Sequence, residues 1–86
     1  MPNHLVLGIH VADRRRQVPA VQKLLSDYGC SIKTRLGLHD AGEDHCATTG
    51  LIILELCGPA APCRELEQRL KKLRGVQVKK MVFSHV

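Results

Sequence analysis

The sequence predicts an α+β fold, with one four-stranded antiparallel sheet and two helices packed on a single face. Three observations predict it. Four segments alternate apolar and polar residues or run almost wholly apolar, as strands do. Two others place apolar residues at spacings of three and four, as helices do. Their order is β-α-β-β-α-β, the ferredoxin-like arrangement, within 86 residues, a length that suits a single domain over 1–86.

Residues 4 to 11, HLVLGIHV, set Leu5, Leu7, Ile9 and Val11 on one side and His4, Val6, Gly8 and His10 on the other. From Gln17 to Tyr28, the residues Val18, Val21, Leu25 and Tyr28 form one helical stripe. Pro19 suits a first turn, and Gly29 stands where a left-handed cap ends a helix. Residues 31 to 38, SIKTRLGL, alternate with Ile32, Thr34, Leu36 and Leu38 on one face and Lys33 and Arg35 on the other. LIILELC, residues 51 to 57, is too short for an independent helix and reads as a central strand apolar on both faces. After GPAAP, a stripe of Cys63, Leu66, Leu70 and Leu73 runs from Pro62 to Leu73, with Gly75 as the cap beyond it. Residues 76 to 83, VQVKKMVF, form the last strand, and Lys79 and Lys80 suit an edge because charge there discourages stray pairing.

Composition narrows the function. One Tyr, one Phe and no Trp require a core of aliphatic side chains. The same scarcity counts against single-strand nucleic-acid binding, which stacks bases on aromatic rings. No apolar run approaches the roughly 20 residues that span a bilayer, and the first residues show neither a basic leader nor a cleavage site. With no such signal a cytoplasmic location is expected, and Cys30, Cys46, Cys57 and Cys63, which form no CxxC pair, are expected to be reduced thiols. A net charge of +5, gathered in Arg14–Arg16, Lys71–Arg74 and Lys79–Lys80, favours acidic partners. A nucleophile elbow, a P-loop and a Rossmann fingerprint are all absent, so no enzyme is expected.

Two helices cannot cover both faces of such a sheet. The open face is expected to carry His4, Val6 and His10 with Leu51, Ile53 and Glu55. That surface is too apolar to stay wet, so it, or an edge strand, is expected to pack against another copy in a dimer or tetramer.

Two further places carry candidate ligands. GLHDAGEDHCATTG, residues 37 to 50, holds His39, His45 and Cys46, nitrogen and sulfur donors that suit a transition metal. The same composition is what a long solvated hairpin turn uses for its own backbone. Asp13 and the run Arg14, Arg15 and Arg16 open the first helix. There free N–H groups and guanidinium forks can hold a small anionic effector, while the plain alternative is an exposed basic turn.

The stretch VADRRRQVPAVQKLLSDYGCSIKTRLGL resembles the opening of ACT-type regulatory domains, in which a strand ends in an Asp and a helix leads through Gly into strand two. Together with GLIILELCGPAAPCRELEQRLKKLRGVQVKKMVF, it is similar to the small stand-alone proteins described as iron-only hydrogenase system regulators. This resemblance implies an ACT-like domain that assembles through its sheets and acts, without catalysis, by binding an effector or partner. In ACT domains the ligand sits near the first strand-helix turn, here Asp13 to Arg16. Nickel-responsive repressors share the fold, but Lys33, Arg35, Gly50 and Leu51 stand where their metal ligands would fall. The readings carried forward are a regulatory module, a metal-handling protein built on the 39–46 turn, and a protein-interaction module. Neither a membrane nor a nucleic acid is an expected partner.

Overall fold

The computed structural model describes residues 4–12, 14–38 and 50–84, with the backbone alone at 14–16 and 38. The elements are β1 (His4–Val11), α1 (Arg14–Asp27), a 3-10 turn (Gly29–Ser31), β2 (Ile32–Leu38), β3 (Gly50–Leu56), α2 (Ala60–Lys71) and β4 (Val76–Phe83). The strands pair antiparallel in the order β2-β3-β1-β4, which makes β1 and β3 central. The predicted ferredoxin-like topology is therefore present. No helix among the described residues is long and apolar enough to cross a membrane.

Period-two alternation puts Leu7, Ile9 and Val11 of β1 beside Leu54 and Leu56 of β3 on one face. Val21 and Leu25 of α1, with Cys63, Leu66 and Leu70 of α2, close over them, and all ten are buried. None is aromatic, as the composition requires. Each fully buried Leu or Ile contributes about 1.5–3 kcal/mol by leaving water. The sheet's ends are tied by backbone bonds. Ala12 N–H donates to the Gly75 carbonyl at 2.8 Å, and Cys57 N–H to the Ser31 carbonyl at 2.8 Å.

Several local expectations change. The first helix begins at Arg14, before the apolar stripe that starts near Gln17, because Arg and Gln are good helix formers and extend it outward. Pro19 thus lies inside the helix and beyond its first turn. It is exposed, so water can satisfy the carbonyl of Arg15 that loses its donor. Gly29 is no left-handed cap. The chain tightens instead into the 3-10 turn, where Ser31 N–H donates to the Tyr28 carbonyl at 2.8 Å. Positive φ occurs, among the described glycines, at Gly58 (85°) and at Gly75 (76°). The second helix ends at Lys71 with Lys72 as its cap, short of the predicted Leu73, so Gly75 is not the predicted helix cap but serves the following turn, in which Val76 N–H donates to the Leu73 carbonyl at 3.2 Å. The second helix starts at Ala60, before Pro62, since N–H groups throughout a first turn lack partners and a proline fits there too.

The largest correction is in β2. Ile32 sits opposite Leu56 but Thr34 opposite Glu55, so the register slips at Lys33. The extra residue turns the strand over. Ile32 faces the helices, whereas Thr34 and Leu36 face away, and the single face predicted for Ile32, Thr34 and Leu36 does not exist. Arg35, opposite Leu54, turns to the helix side, where its guanidinium donates to the Gln22 side chain of α1.

Glu67 of α2 is buried, with Lys71 at 3.0 Å and Lys80 of β4 at 3.4 Å. Burial alone would raise its pKa. The hydrogen bond from Lys71 and the charges of Lys80 and Lys71 outweigh burial and hold the carboxyl below its ordinary value. Folding lowers this pKa, so the stability it adds is complete above about pH 4.3 and is lost as pH falls through the folded value. Glu67→Gln should lower unfolding free energy at neutral pH by about 1–3 kcal/mol. Urea melts of the variant and wild type should converge in acid.

Candidate functional site

Residues directly opposite each other in an antiparallel pair share a face, so the register builds the uncovered side of the sheet row by row. One row runs Thr34, Glu55, Val6, Met81, and the next Leu36, Ile53, Gly8, Lys79. A third sets Leu51 beside His10 and Gln77, and a fourth ends in His4 and Phe83. All six residues expected on the open face, His4, Val6, His10, Leu51, Ile53 and Glu55, are there together.

Three more apolar side chains join them: Leu36 (53% exposed), Met81 (54%) and Phe83 (55%). Met81 and Phe83 were legible, because Val76 and Val78 face the core and odd positions of β4 then face out. Leu36 also fell on the apolar side of the sequence alternation, but its companion Ile32 lies on the other face. Val6 and Ile53 are half-buried, and Ile53 overhangs Gly8, where an added Cβ would meet its Cδ1 at 3.8 Å. The middle of the face is therefore low and aliphatic.

Charge enters through Lys79 on the β4 edge and at one corner. The His4 Nδ1–H donates to Glu55 Oε2 at 2.8 Å, a diagonal pair across β1 and β3. That hydrogen bond is the main cause holding the Glu55 carboxyl below its ordinary value. Partial burial opposes it, and the charges of Lys33 and His4 reinforce it. A face of this kind can bind by excluding water, and a His–Glu pair on it can orient what binds.

The other candidates are placed less fully. Asp13 and the turn bearing His39, His45 and Cys46 lie outside the described residues. Arg14, Arg15 and Arg16 form the first turn of α1, which contains no acidic residue. Cations there oppose the positive end of the helix dipole, by about 0.3–1 kcal/mol each. Among the described residues, no group of three or more His, Cys, Asp or Glu side chains is arranged to hold a metal ion. Cys30, Cys57 and Cys63 are free thiols that gather at one end of the sheet. Cys63 donates to the Cys57 carbonyl at 3.4 Å, and burial, with Cys57 nearby, raises its pKa. It behaves as a small buried hydrophobe.

No protein-family model matches the chain, and no curated protein matches it. Among solved structures it is similar to an uncharacterized protein from Thermotoga maritima, with 26% identity and a TM-score of 0.78 over 92% of this chain and 94% of that one. It is also similar to a formyltetrahydrofolate deformylase from Pseudomonas putida KT2440, with 16% identity and a TM-score of 0.55 over 91% of this chain. The chain spans 28% of the deformylase, and that likeness is one of fold alone. The fold is consistent with the ACT-like superfamily.

The corner pair has a direct check. In a carbon-13 NMR titration, the Glu55 carboxyl should titrate below the ordinary range near 4.3. His4→Ala should move that midpoint upward, and Lys33→Ala should move it by less. No movement in His4→Ala would mean that the 2.8 Å bond is not kept in solution.

Proposed function

We propose that this protein is a small non-catalytic regulatory module that works as a homo-oligomer joined through the open face of its sheet. One observation carries the reading: an apolar surface made by Val6, Leu36, Leu51, Ile53, Met81 and Phe83 has no layer over it among the described residues. Contiguous apolar surface of this kind marks an interaction site. A second copy is the natural cover, since a face with little net charge matches itself and two-fold pairing is the commonest form of assembly. The sequence resemblance to iron-only hydrogenase system regulators, and end-to-end likeness to a chain of the same size, support a module of this kind.

The effector belongs, on this reading, at the start of α1. A first turn of three arginines at the positive end of a helix dipole favours a small anion, and Asp13 adjoins it. Assembly would then transmit occupancy, because α1 follows directly from β1, a central strand of the joined face. The module belongs in the cytoplasm, where thiols stay reduced.

Sedimentation equilibrium tests the proposal. Wild type should be a dimer or tetramer at tens of micromolar. Leu36→Asp/Met81→Asp, at positions more than half exposed, should be monomeric with an unchanged far-ultraviolet circular dichroism spectrum. A wild-type monomer at hundreds of micromolar would overturn it.

A further inference from the structure

The helix side carries a second surface of different character. Ala20, Lys23, Leu24 and Asp27 recur along one line of α1, and Arg69 of α2 stands with Lys72 and Leu73 just beyond that helix's end. Between them lies an open trough of about 360 Å³. Its floor is Ala20, Leu24 and Leu73, the two leucines being partly buried against the core. Its rim holds three cations and one carboxylate. Lys23 pairs with Asp27 at 3.1 Å, Arg69 lies over the Tyr28 ring at 6.0 Å and 3.6 Å from Glu65, and Lys72 has no ion-pair partner among the described residues.

We propose that this trough docks an amphipathic helical segment of an acidic partner protein. The partner's apolar side chains would sit on Ala20, Leu24 and Leu73, and its carboxylates would meet Lys72, Arg69 and Lys23. Volume and shape argue for a protein segment. The trough is near the lower end of the roughly 300–1,000 Å³ of small-molecule sites, and it is open where such sites enclose most of their ligand. An apolar stripe between two helices is the usual seat of an amphipathic helix. Charge argues for acidity. The rim carries three cations against one carboxylate and the whole chain is +5, so a second copy would bring like charge to like charge. Nucleic acid is disfavoured, because the floor offers aliphatic groups where bases need rings. The trough is on the side of the sheet opposite the association face, so this inference stands whether or not the protein oligomerises there.

Amide chemical-shift mapping by NMR tests it, with a synthetic peptide of Leu, Ala and Glu. A length of about fourteen residues is enough to form a helix on contact. The peptide carries one leucine stripe flanked by glutamates, and the control has lysine for every glutamate. The glutamate peptide should shift Ala20, Lys23, Leu24, Lys72 and Leu73, and added salt should weaken it. Lys72→Glu should reduce its affinity about threefold to tenfold and raise that of the lysine peptide. Ala20→Glu, which places a charge on the floor, should weaken it as well. No shifts at millimolar peptide, equal response to both peptides, or shifts confined to Val6, Ile53 and Met81 would each overturn the proposal. So would trough shifts with anionic phospholipid vesicles or an oligonucleotide in place of the glutamate peptide.

Discussion

Two amphipathic helices have enough width to shield one side of a four-stranded sheet, and this chain spends both on the same side. The buried set of Leu7, Ile9, Val11, Leu54 and Leu56 meets Val21, Leu25, Leu66 and Leu70 there and nowhere else. The core is thus a single layer between sheet and helices, built of aliphatic groups. The small aromatic content has a physical consequence, because no large ring is present to brace both sides of the sheet at once. Among the described residues no element covers the second side, and polar pairing such as His4 with Glu55 is found there.

Strands were the most legible part of the sequence, because alternation reports burial directly and β1, β3 and β4 each lie against neighbours whose side is unambiguous. The helix ends were less so. Pro19 suits a first turn and Pro62 a helix start, whereas a proline marks only a region where N–H groups are spare or water can reach the carbonyl behind it. Gly29 was read as a left-handed cap, yet a 3-10 turn met the same hydrogen-bonding need with ordinary dihedrals. These are choices among near-equivalent local solutions, and propensity alone does not separate them.

The open face was legible in its central residues and illegible at its β2 edge. A bulge reverses every side chain beyond it, and Lys33 has no residue type that announces one. Glu67 shows a different limit. It lies in α2 beside the apolar stripe, and Lys80 shares the inward parity of Val76 and Val78, so the pairing was implicit in two periodicities at once. Reading both lysines of β4 as edge charges missed it. The general point is that a charged residue at a core-parity position asks for a partner on the facing element, and the search for one is a search across the fold.

The two exposed surfaces divide the chemistry between them. The sheet side gathers Leu36, Ile53, Met81 and Phe83 with one His–Glu pair and with Lys79 at its β4 edge. The helix side carries a cluster of cations, Lys23, Arg69 and Lys72, on the rim of the trough. A protein of net charge +5 whose charges were spread evenly would repel its own copies in every orientation. On the proposed assembly, segregation would let the apolar side close while the basic side stays outward. The proposed regulation by an acidic partner or a small anion would then require no contact with the proposed association face, since β1, in leading directly into α1, connects them.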